Sequence, residues 1–322
     1  MSTLSKSLCN MKRRKFHSGE VNHVYQRTLH GNNIFYDIED YLVYYTIFSV
    51  TVAKYPISVL GLCLMVDHLH ILLVSEIMSD LSLFMDHVTS VFVREYNRAV
   101  GRKGPLFEPR FGSAPKTGLK KVRTAVSYLF NNPVERFLCL FAQDYRWNFL
   151  AYGKSSHPFS QKINLMKSSR ALKSVVSEIR VCHAKGLYLN YQQLRRIFAK
   201  IADDNEKEQL IDYIIWLYRF IDYDKLSSYY NSYDDMVVAI NTNTGSEYEL
   251  NETFAFRTDG VYRDMIKCVR EYGYMYSRHV TVAPESHKLK LLAELKRKTR
   301  ASAGQIRKFL HLPLDGHGHV NR

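Results

Sequence analysis

The chain has 322 residues, of which 46% are hydrophobic and 24% charged, and it carries a formal net charge of +14 with a pI near 9.4. This length and apolar content suffice for about two domains with at least one sizeable core, and the basic charge favours a polyanion as partner. Five cysteines without C-x-x-C spacing argue against a disulfide framework or a thiolate zinc site and favour a reducing cytoplasm. No apolar run approaches the length of a membrane span, and residues 1–20 indicate a basic arm rather than a signal peptide.

The first half of the chain alternates strand-like and helix-like spacing of its apolar residues. In chain order the predicted elements are a strand over 23–29, a helix over 37–54, strands over 57–65 and 69–74 turning at Val66-Asp67, a helix over 80–99, a turn-rich segment over 101–118 and a helix over 120–131 that Pro133 limits. This order predicts an α+β fold, a ferredoxin-like split βαβ antiparallel sheet.

Two histidines separated by one residue, His68 and His70, lie in the most hydrophobic stretch, residues 60–74. In a strand both project to one face, while Leu69 and Ile71 point to the other. Two imidazoles on one face can provide two nitrogen ligands for a metal. Burying them without partners would cost free energy, so a ligand, a carboxylate or an exposed cleft must compensate. The alternative is structural, with one histidine exposed at a strand end and the other hydrogen-bonded.

Tyr128 and Asn132 are four residues apart in the last predicted helix of this region. If the helix continues through this point, a phenol and a carboxamide share one face, one turn apart. Tyr128 alone is one of 23 tyrosines, for which a packing role is the common one.

Basic residues concentrate in two segments, 94–123 and 288–308, on either side of an acidic segment over 203–235. Either basic segment alone can be a solvated helix face, but two of them favour binding to nucleic-acid phosphates. The predicted DNA-binding residues of the first segment are Arg94, Arg98, Arg102, Lys103, Arg110, Lys116, Lys120, Lys121 and Arg123.

The second half divides at a polar segment near residue 154. Residues 154–284 predict a mainly helical region of unassigned role, with helices over 171–184, 191–201 and 206–220. Residues 285–322 resemble the first two helices of a helix-turn-helix, over 288–299 and 304–312, without a recognition helix after them and with a tail containing His317 and His319.

Four motifs, in order and at fitting spacing, resemble the REP-associated single-tyrosine transposases of the HUH nuclease superfamily. They are M-V-D-H-L-H-I-L-L from Met65, G-P-L-F-E-P-R-F from Gly104, Y-L-F-N-N-P-V from Tyr128 and Y-R-W-N-F-L-A-Y from Tyr145. The resemblance covers residues 21–153, which we expect to be the nuclease domain. One departure is Val66, where the family usually has proline.

The resemblance implies that His68, His70 and Asn132 hold a divalent metal and that Tyr128 is the nucleophile. Nitrogen and oxygen ligands without thiolate suit Mg²⁺ or Mn²⁺. The implied enzyme is a cytoplasmic transposase or endonuclease that cleaves and rejoins single-stranded or hairpin DNA through a 5′-phosphotyrosine intermediate, acting as a monomer or a homodimer.

Two other functions remain open on the sequence. The chain could be a DNA-binding regulator that keeps the transposase fold but does not cut. It could also be a structural or RNA-binding ferredoxin-like module, for which Tyr128 and a metal would be irrelevant.

Overall fold

The computed structural model describes residues 15–242 and 259–314. It begins with a β-α-β-β-α-β unit followed by helices. The strands are β1 Val21–Arg27, β2 Ile57–Leu64, β3 His68–Ser75 and β4 Gly112–Lys116. The first helices are α1 Ile38–Val52, α2 Met78–Val100 and α3 Leu119–Glu135. The later helices are α4 Arg170–Ala184, α5 Tyr191–Ala199, α6 Asp204–Leu217, α7 Tyr223–Ser227, α8 Tyr233–Thr242, α9 Gly260–Glu271, α10 Glu285–Lys298 and α11 Ala303–Leu310.

The four strands form one antiparallel sheet in the order β2-β3-β1-β4. Side chains alternate along each strand, so the sheet has two apolar faces. One face, with Ile71 and Leu73, packs on α1 and α2, and the other, with Leu72 and Val74, packs on α3. An α+β fold is therefore confirmed, and α3 alone of the first three helices lies on the face that carries His68 and His70.

Two elements differ from the sequence-based expectations. The segment predicted as turns contains β4, which pairs with the outer edge of β1. Its Pro115 is tolerated because an edge strand needs hydrogen bonds on one side only. The helix α3 also continues past Pro133 to Glu135, so Asn132 lies inside the helix rather than beyond its end.

The later helices pack on three surfaces of the sheet unit, and α7 and α8 join the apolar cluster of α3. Residues of α4, α5 and α6 join the apolar cluster of α1 and α2. Helices α9, α10 and α11 form a further apolar cluster with Tyr36 and Val66, at the turn end of the β2-β3 hairpin. The two helices predicted over 288–299 and 304–312 are α10 and α11, and a third helix, α9, precedes them. Residues 1–14 of the predicted basic arm and His317 and His319 lie outside the described residues.

Within the described parts of the chain, none of the helices combines the length and the hydrophobicity needed to cross a membrane.

Candidate nuclease site

The face of the sheet under α3 carries the residues that the sequence analysis singled out as a candidate site. His68 and His70 of β3 share this face with residues of β1, because Tyr25 pairs with His70 and Arg27 pairs with His68 in the antiparallel register. Tyr128 and Asn132 lie one turn apart on α3 and are both buried. The structure thus brings onto one face two histidines and a helix segment that are about sixty residues apart in sequence.

Four rings form a compact cluster. The ring centroids of His68 and His70 are 5.0 Å apart, and those of His70 and Tyr128 are 5.4 Å apart. His23 of β1 completes the cluster at 5.1 Å from His70 and 5.7 Å from Tyr128. His70 and His23 are fully buried, and Tyr128 is 2% exposed. The aromatic hydroxyl and the imidazoles are therefore enclosed between the sheet and α3.

Hydrogen bonds fix how the two histidines are oriented. His68 Nδ1 lies 2.6 Å from Asp67 Oδ1, and His70 Nδ1 lies 3.1 Å from His23 Nε2. Burial, followed by the charges of His68 and His23, holds the pKa of His70 well below its ordinary value, so this ring is neutral near pH 7. Because both Nδ1 atoms are engaged in these contacts, Nε2 is the nitrogen through which each ring would bind a metal.

Asp67 supports the site from the hairpin turn. Burial would raise the pKa of its carboxyl, but the charge and hydrogen bond of His68, with the cations of Arg136 and Lys308, lower this pKa to about 2. The main-chain oxygen of Asp67 also accepts bonds from Thr28 N and Thr28 Oγ1. Asp67 is thus an ionised carboxylate that orients the His68 ring, and its backbone is tied to the end of β1.

Asn132 offers a third atom that could bind a divalent metal beside the two histidines. Asn132 Oδ1 is buried and accepts no hydrogen bond in the described parts of the chain. A buried amide oxygen without a partner costs free energy, unless a bound ligand interacts with it. Among the described residues there is no cluster of three or more His, Cys, Asp or Glu side chains suited to a metal. A metal here would use two imidazoles and one amide.

The predicted DNA-binding residues do not form one uniform surface. Arg94, Arg98, Lys103, Arg110, Lys120, Lys121 and Arg123 are exposed. Arg102 is half-buried and donates to Asn97 Oδ1 and to Pro105 O, so it braces the loop after α2. Lys116 is 1% exposed on β4, because its strand pairs with β1, and it is not part of the exposed basic surface.

Sequence reasoning missed several groups around the cluster. His23 faces His70 because β1 and β3 are neighbours, and Arg27 follows on the same face of β1. Arg136 ends α3, and Lys308 belongs to α11. The alternation of β1 was a signal for His23 and Arg27 once its pairing with β3 is known, whereas no spacing pattern connects Lys308 to a strand more than two hundred residues earlier.

The motifs that begin at Gly104 and at Tyr145 form hydrogen bonds with the elements around the site. The G-P-L-F-E segment runs beside the end of β1, where Leu29 N donates to Leu106 O and Glu108 N donates to Arg27 O. In the tryptophan motif, Tyr145 OH donates to Leu64 O of β2, and Asn148 Nδ2 donates to Phe130 O of α3. The tryptophan motif therefore joins α3 to β2, and the G-P-L-F-E segment is held at the end of β1.

No known protein family and no curated protein matches the sequence. Among solved structures, the fold is similar to that of a REP-associated tyrosine transposase bound to a REP hairpin, with a TM-score of 0.39 and 18% sequence identity, over 45% of this chain and 84% of that chain.

Proposed function

We propose that this protein is a metal-dependent single-stranded DNA transposase or endonuclease of the HUH type. The observation that carries the proposal is the meeting of His68, His70 and Tyr128 with the buried amide of Asn132 on one face of the sheet. A phenol beside a potential metal site is the minimum that tyrosine attack on a phosphodiester requires. The β-α-β-β-α-β order with strands arranged β2-β3-β1-β4 supports a ferredoxin-like nuclease domain.

His68, His70 and Asn132 are the residues that would hold Mg²⁺ or Mn²⁺, with Mn²⁺ the more suited to two imidazoles. When bound, the ion would offset negative charge on the scissile phosphate. Asp67 and His23 contact Nδ1 of the two rings, so that Nε2 would be the metal-binding nitrogen of each.

Tyr128 would attack the phosphorus of the scissile phosphodiester. A bond forms between the phenolic oxygen and phosphorus, the bond to the 3′ oxygen of the upstream strand breaks, the phenolic proton is lost and the leaving oxygen takes up a proton. The energy of the phosphodiester is kept in the 5′-phosphotyrosine, so a second 3′-hydroxyl can reverse the step and rejoin strands. Because Tyr128 is 2% exposed, α3 or its neighbours must shift for DNA to reach the hydroxyl.

The partner would be single-stranded or hairpin DNA, bound by the exposed arginines and lysines of segment 94–123. Binding through phosphates predicts an affinity that falls steeply with salt.

The test is a cleavage assay on labelled single-stranded DNA with Mn²⁺. The wild-type protein should form a covalent adduct that resists denaturant, and Tyr128→Phe should abolish the adduct while binding persists. Tyr44→Phe is the matched control, because this buried tyrosine lies on α1, which packs on the face of the sheet opposite the ring cluster. His68→Ala and His70→Ala should reproduce the effect of EDTA. An adduct that survives Tyr128→Phe, or cleavage that survives both histidine changes, would contradict the assignment.

A second candidate function is DNA binding without cleavage. The enclosure of His23, His70 and Tyr128, which leaves the phenol almost inaccessible, favours it. This function predicts salt-dependent DNA binding, no adduct with any divalent metal, and no response of binding to Tyr128→Phe.

A further inference from the structure

The turn end of the β2-β3 hairpin is a point where distant parts of the chain converge. Ile34 N of the β1-α1 loop donates to Val66 O, and Asn33 N of the same loop donates to Lys308 O of α11. On the other side Asp259, just before α9, donates its N–H to Arg136 O at the end of α3. The C-terminal helices α9–α11 therefore border the turn that carries Asp67 and His68.

Two cations near the turn of the β2-β3 hairpin, Lys308 and Arg136, have no counter-ion in contact among the described residues. Lys308 and Arg136 are half-buried, and neither has an ion pair or a side-chain hydrogen bond among residues 15–242 and 259–314. The Lys308 ammonium runs past Gly31, where an added Cβ would stand 2.9 Å from Nζ. Gly31 has a positive φ of 65°, a backbone conformation that favours glycine.

The charges facing the two cations are Asp67 and Asp259. The carboxylate of Asp67 is bonded to His68. Asp259 is 3% exposed, and its Oδ2 accepts no hydrogen bond in the described chain. Burial and the charge of Asp67 raise the pKa of Asp259 to about 6, against the effect of Arg136. Arg27, also positively charged, lies at the adjacent end of β1.

We infer that Lys308 and Arg136 form a binding site for a phosphodiester group of single-stranded DNA, next to the His68 side of the nuclease site. The Arg136 guanidinium and the Lys308 ammonium have no ion-pair partner in contact among the described residues, and they lie beside the candidate metal ligands. Two such cations bind the charged oxygens of a phosphate better than any neutral ligand. The C-terminal helices would thereby supply part of the surface that holds the strand. This inference rests on the proposed function, and both cations are positioning residues.

The experiment measures binding without chemistry. A fluorescein-labelled single strand of mixed sequence is titrated with the Tyr128→Phe protein in EDTA at several salt concentrations, by fluorescence anisotropy. Adding Lys308→Gln should weaken binding roughly three- to tenfold and reduce the slope of log affinity against log salt by about 0.7, the value for one phosphate contact on a single strand. Lys308→Arg should restore both quantities.

Lys267→Gln is the matched control, because it removes one positive charge from an exposed position on α9 in the same helical unit. Equal slopes and affinities for Lys308→Gln and Lys267→Gln would overturn the inference. If wild-type protein still forms the Tyr128 adduct in that case, only the inference fails. If no protein in the series binds the strand and the wild type forms no adduct, the proposed function fails as well.

Discussion

At the scale of single residues, the contact between His23 and His70 decides which nitrogen of His70 faces the site. His70 is neutral because burial and two neighbouring histidines lower its pKa, so one of its nitrogens carries a proton and the other does not. If His70 Nδ1–H donates to His23 Nε2 at 3.1 Å, the basic lone pair is on Nε2. His68, His70 and Tyr128 could be picked out by spacing and motif, whereas His23 could not, since its role depends on which strands pair.

Replacing His23 with leucine should weaken Mn²⁺ binding about 10- to 100-fold, the usual effect of losing the partner that orients a ligand histidine. Leucine fills much of the same buried volume, so the fold should remain. The measurement is titration of free Mn²⁺ by electron paramagnetic resonance. His87→Gln is the control, because His87 lies on α2, on the opposite face of the sheet, where its Nδ1 lies 3.3 Å from Tyr55 OH. Equal affinities in the two variants would show that His23 has no such role.

At the scale of elements, most helices were predicted from the sequence, but the strand β4 and the helices α7, α8 and α9 were not. The expected helix over 37–54 is α1, with Asp37 as its N-cap in a capping box with Asp40. Pro133 removes only one helical hydrogen bond, because α3 ends two residues later and Arg136 N still reaches Asn132 O. The strand β4 has no local strand signal. Its pairing with β1 requires a glycine at 112, because a Cβ there would come within 2.0 Å of Cζ of Tyr25. Such long-range pairing is not encoded in spacing.

The end of α11 should make stability depend on pH. His311 has left-handed φ, its Nε2 lies 2.6 Å from Asn33 O, and burial lowers its pKa to about 4. Between pH 6.5 and 4 the unfolded chain binds a proton at this residue and the folded chain does not, so stability falls as pH falls through that window. His311→Asn, which tolerates left-handed φ, should remove this loss, about 1–2 kcal/mol between pH 7.5 and 5.

Urea unfolding of both proteins at the two pH values tests this expectation. The stability advantage of wild type over His311→Asn should shrink at pH 5. A difference that stays constant with pH would mean that His311 does not titrate in this window.

At the scale of the whole molecule, the chain folds back so that its last helices meet its first strands. One apolar cluster crosses the boundary expected near residue 154, since it contains both sheet residues and residues of α4 to α6. The basic segments were visible in the sequence, but the neighbours of Lys308 and Arg136 were not, because they depend on how α9–α11 dock. That docking is anchored by Arg278, which is fully buried and donates to Asp40 Oδ1 at 2.8 Å while its guanidinium lies over the Tyr191 ring.

Arg278→Met should destabilise the protein by about 3–5 kcal/mol, because it leaves Asp40 as a buried carboxylate without its cation, while Asp37 keeps only its pair with Arg270. Burial already raises the pKa of Asp40 against the effect of Arg278, so the unpaired acid would take up a proton, and adding Asp40→Asn should recover part of the loss. Arg297→Met is the control, because its ion pair with Glu294 is exposed and should contribute almost nothing. Urea unfolding followed by circular dichroism measures all three variants. A loss for Arg278→Met as small as that for Arg297→Met would mean that the buried cluster does not hold the C-terminal helices on α1, and the position of Lys308 beside the site would then need another cause.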